Sequence, residues 1–424
     1  MTKFKGLIIS GLAFIAISMT ATDALAISAW ARKYGVSCNA CHWGGYRLNR
    51  DGQKFLRTGH FYPGDKASTQ LEDFLALNSK IRFNDGNDAN TTDNKVGELT
   101  FEYHAFALYS GGLLTQNWSF FTEIYLHERE GNPTKVDGFG DGGRTKLAEA
   151  FLQYTRGGDN YFTIRGGQIA SQLWSIQGAG GRLSETRNFL VNNATISTNA
   201  GLSNTWLPRM RDVGVEIGGQ YKDIHLVAGV INGNGNTPTN VIESKGRGAK
   251  DFYTSIDYTM KEMAQVGFFY HDGNLEDPTL VTSNKDDFYR VGLTFNANPT
   301  DKIWLLGSYL MGKDTDKLPK AGLNADVKSK GFAFEGDFLL NADRNIAPFV
   351  KYDWFTHDGK SGTAGDFDTT TNMFVVGCTF GLFEGQRGRI TTEWQYQKTT
   401  ENGPTTDVDK TKDQNFRVEL SFML

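Results

Sequence analysis

The chain reads as an all-β protein: an antiparallel outer-membrane β-barrel of about sixteen strands whose lumen is plugged by a small N-terminal segment. Three observations predict this. The first is composition: 424 residues with 13% aromatics, 49 Gly and only 9 Pro, and a negative mean hydropathy. That is too polar for a bundle of membrane helices and rich in strand formers, the profile of a wall in which every second residue faces lipid. The second is strict alternation. Leu99, Phe101, Tyr103, Ala105, Ala107 and Tyr109 are expected on one face, with Glu98, Thr100, Glu102 and His104 on the other. At the end of the chain Phe416, Val418, Leu420, Phe422 and Leu424 alternate with Arg417, Glu419 and Ser421. The third is the rhythm of the connections. Short turns at 155–160, 219–222, 259–262, 298–301 and 341–345 each follow an even-numbered strand, whereas long polar loops at 84–95, 128–143, 170–211 and 356–371 follow odd ones. A soluble sandwich or propeller has no reason to show that rhythm. In bacterial barrels the short turns are periplasmic and the long loops outside, so both termini are expected in the periplasm.

Taken in order, the first element is an export signal over residues 1–26. Lys3 and Lys5 form its basic start, Gly6 to Met19 its apolar core, and Ala24-Leu25-Ala26 a small-residue cleavage site. The core is shorter than the roughly 20 residues a membrane helix needs. Removing Lys3, Lys5 and Asp23 leaves a weakly acidic remainder, with no nucleic-acid footprint.

Residues 27–72 form the small segment, which carries Cys38-Asn39-Ala40-Cys41-His42. Two thiols three positions apart can form thioethers to the two vinyl groups of one haem, with the adjacent imidazole as proximal iron ligand. A dithiol redox pair or half a zinc site are the alternatives. Neither requires His42, and no second Cys pair completes a zinc tetrad, since the third cysteine is Cys378. One covalent haem c on Cys38, Cys41 and His42 is therefore expected. Asn49 to Phe55 open a short helix that Gly59 ends. So small a segment needs the haem and surrounding walls for stability.

The barrel occupies residues 73–424, with strands expected to begin near Phe74, Glu98, Asn117, Lys146, Tyr161, Asp212, Asp223, Asp251, Met263, Asp287, Lys302, Lys330, Ala347, Asn372, Arg387 and Asn415. A barrel of this size has a channel wide enough to need filling or to conduct solute.

The stretch from Trp30 to His42, with Tyr34, Gly35, Val36 and Ser37 before the motif and Leu48, Asn49, Gly52, Phe55 and Gly59 after it, resembles the fused monohaem cytochrome c–porins, the iron oxidases of Fe(II)-oxidising bacteria. The local match covers about a tenth of the chain, and His60 stands where relatives more usually carry an aromatic residue. The resemblance implies an outer-membrane oxidoreductase that takes electrons from extracellular Fe(II) and passes them to a periplasmic c-type cytochrome. The residues alone equally allow another redox partner, or a solute-selective porin with a regulatory haem segment.

No Met lies between Ile27 and Arg209, so a Met cannot complete the iron from within the segment. His60 is the nearest candidate for the sixth ligand, set against a surface histidine beside a turn. His104 and His127 are expected in the lumen, His104 near Glu123, as ordinary hydrogen-bonding residues or reserve ligands. Asp85, Asp88, Asp93, Asp137, Asp141, Asp272, Glu276, Asp277, Asp358, Asp366 and Asp368 are expected in exterior loops; they can collect Fe(II), although solvation and lipid bridging explain them as well. The loop at 170–211, with Trp174, Arg182, Arg187 and Trp206, is long enough to fold inward as a constriction or cap. Cys378 shares parity with Phe374, Val376, Phe380 and Leu382 and is expected to face lipid.

Overall fold

The computed structural model describes residues 29–36, 40–43, 47–60, 70–86, 99–128, 146–170, 182–186, 194–197, 203–206, 211–233, 250–260, 264–276, 285–315, 325–342, 344–361, 365–382, 388–403 and 406–423. The signal at 1–26 and Cys38 lie outside them.

The N-terminal segment holds helix α1 (Ala29–Tyr34), a two-rung hairpin of β1 (His42–Trp43) and β2 (Arg47–Leu48), and helix α2 (Arg50–Arg57). The expected helix after the motif is present. Asn49 caps it by accepting from the Gly52 amide at 2.9 Å, which satisfies one of the orphan donors of the first turn. Gly59 ends it at φ +73°, and His60 follows at φ +67°, a left-handed geometry costly for a non-glycine residue.

The barrel strands are β3 (Leu75–Gly86), β4 (Leu99–Leu113), β5 (Trp118–Glu128), β6 (Lys146–Gly157) and β7 (Tyr161–Ala170). After a short separate hairpin, β8 (Ala194–Ser197) with β9 (Ser203–Trp206), the wall resumes as β10 (Arg211–Tyr221), β11 (Ile224–Ile231), β12 (Asp251–Met260) and β13 (Ala264–Glu276). It continues as β14 (Lys285–Thr300), β15 (Ile303–Thr315), β16 (Ala325–Phe338), β17 (Ala347–Ser361), β18 (Gly365–Leu382), β19 (Gly388–Gly403) and β20 (Thr406–Met423). These sixteen strands pair antiparallel with their neighbours, and β20 pairs with β3 to close the ring. The C-terminal alternation is therefore the sealing strand, with Glu419 and Ser421 buried inside.

Alternation organises the wall as expected. In β12, Asp251, Tyr253, Ser255 and Asp257 point inward and are buried, whereas Phe252, Ile256 and Tyr258 are exposed on the outer face. Cys378 stands on the parity of the exposed Phe374 and Val376. In β4 the pattern breaks. Lys80 pairs with Ala105 but Ile81 with Tyr103, so His104 is an extra bulge residue that flips the face of everything after it. Phe101 and Tyr103 point outward, while Ala105 and Ala107 are buried inside; the single outer face expected for 99–109 is corrected accordingly. Leu126 does the same in β5, where Phe106 pairs with His127 but Ala107 with Tyr125.

The connections also differ from expectation at one end. β17 reaches Ser361 and β18 starts at Gly365, so most of the loop expected at 356–371 is an extended hairpin. Asp85, Asp272, Glu276, Asp358, Asp366 and Asp368 consequently lie on strands rather than in loops. Asp88, Asp93, Asp137, Asp141 and Asp277 fall outside the described residues.

Candidate functional site

The site is assembled where the N-terminal segment meets the inner wall. Cys41 is half-buried, and its carbonyl accepts from the Asn49 amide at 3.0 Å. The Asn49 side chain donates to the Ala40 carbonyl at 3.1 Å. A Cβ on Gly52 would collide with the Cys41 carbonyl oxygen, so only glycine lets the first turn of α2 close on the motif. His42 pairs with Leu48, and Trp43 with Arg47.

Trp43 and Arg47 then tie this arm to one wall. The Trp43 indole donates to the Asp301 carbonyl at 3.0 Å and its ring lies 5.3 Å from that of Trp304. The Arg47 guanidinium is fully buried, 3.3 Å from Glu335 and in contact with Asp337, both on β16.

His60, at the far end of α2, lies against other strands. Its ring is stacked between Trp30 and Phe121, each at a centroid distance of 4.5 Å, with Phe55 edge-on at 5.2 Å. The Trp30 indole donates to the Gly111 carbonyl at 3.0 Å. Burial, with the Arg165 cation adding to it, pushes the His60 imidazole down from its usual 6.5 to about 3, so it is neutral at physiological pH and able to bind a metal. Its Nδ1 is buried without a hydrogen-bond partner. Gln153 and Thr155 of β6 hold the end of α2, donating to the Arg57 and Thr58 carbonyls at 3.0 and 3.1 Å. Arg57 pairs with Asp257 of β12 at 3.1 Å. Lys54 reaches Asp159, in the β6–β7 turn, at 2.9 Å.

Around the ring, β5 and β15 are eight strands apart. The segment thus touches opposite walls at the end of the barrel that carries Asp159 and Asp301. The sequence shows none of these anchors, because Arg47 and Arg57 are two basic residues among many until their partners, some 200 to 290 positions away, are brought beside them.

Residues 182–186 form a strap inside the lumen and are buried throughout, which bears out the inward fold expected of the long loop for this part of it. The Leu183 amide donates to Glu335 at 2.5 Å. Glu393 accepts from the Ser184 hydroxyl and the Glu185 amide, each at 3.0 Å, and from the Thr186 hydroxyl at 2.5 Å. Lys351 donates to the Thr186 carbonyl at 2.8 Å; Glu185 contacts Arg389 and lies 3.3 Å from Lys80. Leu183 packs with Ala347, Phe349, Met373 and Val375, and Trp43 packs against that cluster. Trp174 and Arg187 lie outside the described residues.

The other expected histidines are placed elsewhere. His104 Nδ1 lies 3.2 Å from Arg82 and 3.3 Å from Glu102, not beside Glu123, which instead accepts from Tyr109 and Arg211 at 3.1 and 2.9 Å. Register accounts for the difference: β4 runs on to Leu113 and β5 begins at Trp118, so Tyr109 rather than His104 stands opposite Glu123. His127 is not in the lumen: its Nε2 meets the Tyr103 carbonyl at 2.8 Å on the outer face. Among the described residues no group of three or more His, Cys, Asp or Glu is placed to hold a bare metal ion. The donor set of the segment is of another kind. A half-buried thiol, an adjacent imidazole and a buried neutral imidazole with an orphaned nitrogen fit a covalently held haem.

No protein-family model matches the chain, and no curated protein matches it. Solved structures do. The anion-selective porin of Comamonas acidovorans superposes with a TM-score of 0.54 at 12% identity, covering 82% of this chain and 98% of that one. OmpT of Vibrio cholerae, in its trimer form, gives 0.52 at 12% identity over 82% and 98%. Salmonella typhi OmpF in complex with daunomycin gives 0.51 at 10% identity over 82% and 97%. At such identities the likeness is one of fold: the closed sixteen-stranded antiparallel barrel is that of outer-membrane porins.

Proposed function

We propose that the chain is an outer-membrane electron conduit. It would oxidise extracellular Fe(II) at a single haem c held by Cys38, Cys41 and His42, with His60 as second axial ligand, and pass the electron to a periplasmic c-type cytochrome. The observation that carries this reading is the placement of the haem-motif arm. It is anchored by buried ion pairs to β12 and β16 and by aromatic stacking to β5, across the mouth of a barrel that would otherwise be an aqueous channel. A solute pore gains nothing from filling its own lumen. An electron carrier gains an insulating sleeve, and ferric product, which is insoluble, stays outside.

A bound haem would supply the one-electron acceptor, its potential set by axial ligands, burial and nearby charge. The chain's own residues do the rest. Asn49 and Gly52 fix the motif backbone, Trp30 and Phe121 fix the plane of the His60 ring, and Arg47 with Glu335 and Asp337 sets the charge beside the arm. With the short turns on the periplasmic side, the arm lies at the periplasmic mouth, within reach of a soluble partner.

Anaerobic mixing of Fe(II) with the purified protein tests the reading. The reduced haem band should appear with Fe(II) as it does with dithionite. Reduction by dithionite but never by Fe(II), across pH and with ferric chelators present, would leave a conduit for some other donor.

A further inference from the structure

We propose that Glu335 is a positioning residue that couples the strap at 182–186 to the haem-motif arm, so that a segment of the β7–β10 loop sets the placement of His42. The inference rests on the haem reading above and extends it. One buried carboxylate oxygen of Glu335 is shared between the two elements: it accepts the Leu183 amide at 2.5 Å and the Arg47 guanidinium at 3.3 Å. Arg47 is the cross-strand partner of Trp43, and Trp43 is the residue after His42. Trp43 in turn packs against the cluster containing Leu183. The strap and the arm therefore meet twice, through a charge-assisted polar junction at Arg47 and through an apolar contact at Trp43, and His42 is one peptide bond away from Trp43.

The strap itself is held from the far side by contacts that do not involve the arm. Glu393 takes the Ser184, Glu185 and Thr186 donors, and Lys351 takes the Thr186 carbonyl. Removing one partner from a cluster of buried charged groups leaves the others uncompensated. Loosening the strap at Glu393 thus transmits to Glu335 through Leu183, and from there to Arg47. Glu393 contacts the strap and not the arm, so raised cleavage of the arm in Glu393→Ala, which the field of a lost charge alone would not produce, reports transmission through Leu183.

Limited trypsin cleavage and the haem spectrum, read on the same samples of full-length protein, test the coupling. Glu335→Ala should raise cleavage within 171–210 at least ten-fold. It should also change the ratio of reduced to oxidised haem, at a fixed ambient potential, at least three-fold. Glu335→Gln keeps an acceptor oxygen in the same place and should restore both readings to near the wild-type values. Glu393→Ala, which frees the strap without touching the arm, should reproduce both changes, whereas Asp314→Asn, a buried lumen carboxylate paired with Arg290, should produce neither. Heat-modifiable migration on gels confirms that each barrel is closed. Cleavage without a haem change in Glu393→Ala overturns the coupling, as does a haem change in Glu335→Gln equal to that of Glu335→Ala with the strap intact. A wild-type protein without covalent haem sinks the functional reading instead. Cleavage after Arg47, Arg50 and Lys54, raised in Glu393→Ala or not, then decides the tie between strap and arm by itself.

Discussion

His60 carries the sharpest residue-scale consequence. Its ring plane is fixed on both faces by aromatic neighbours and its imidazole is held neutral, which are the conditions for a ligand that needs little reorganisation. With His42 and His60 both on the iron, the haem should be low-spin. His60→Ala should convert it to a high-spin, five-coordinate or water-ligated form, visible in the absorption spectrum, while His104→Ala changes nothing. A bis-histidine spectrum that survives His60→Ala would move the second ligand to the barrel wall. The Cys-x-x-Cys-His spacing, the Asn49 cap and the stop at Gly59 were all legible in the sequence, because each depends on neighbours a few residues away. The faces of Ala105, Ala107 and His127 were not. A bulge adds one residue to the strand without changing its composition, and period-two reading carries straight through it. His104 and Leu126 look like ordinary strand residues until their pairing partners are known.

At the scale of elements, α2 is docked by Arg57 on Asp257, a buried ion pair whose loss leaves the carboxylate with only His225, at 3.6 Å, beside it. Arg57→Ala should cost about 3–5 kcal/mol of segment docking, seen as earlier thermal release and faster proteolysis of residues 29–60. Adding Asp257→Asn to that variant should recover most of the loss, since the remaining group is then neutral. The turns offer a second prediction. If the short turns are periplasmic, as the rhythm of connections predicts, a tag at 341–344 should be hidden on intact cells and one at 358–366 labelled. Equal labelling of both would sink the orientation. Strand number and most strand starts were readable because the alternation recurs sixteen times. The lengths of β17 and β18 were not, since Thr356 to Thr371 is polar on both faces and a hairpin standing clear of lipid needs no apolar side.

For the whole molecule, two elements are tied to the inner wall, the N-terminal segment to strands on opposite sides of the ring and the strap beside it, and we propose that together they close the channel. Purified full-length protein in a planar bilayer should therefore show no steady ion conductance, in contrast to an open sixteen-stranded porin. Large, stable steps from a haem-loaded preparation would return the solute-pore reading to first place. That residues 182–186 of the long loop turn inward followed from its length; where they land did not, because Glu335 and Glu393 are indistinguishable in sequence from any other inward-facing acid.

Closure of the ring by β20 against β3 also dictates an order of assembly. The last strand made is the one that seals the wall, and in the closed ring Arg47, Arg57 and the strap stand inside against buried partners spread over β12, β16 and β19. Covering a haem with these walls is simplest before they close. On the haem reading, the thioethers at Cys38 and Cys41 would be made while the chain is still open. Export, haem attachment and insertion of the barrel would then act on each molecule in that sequence.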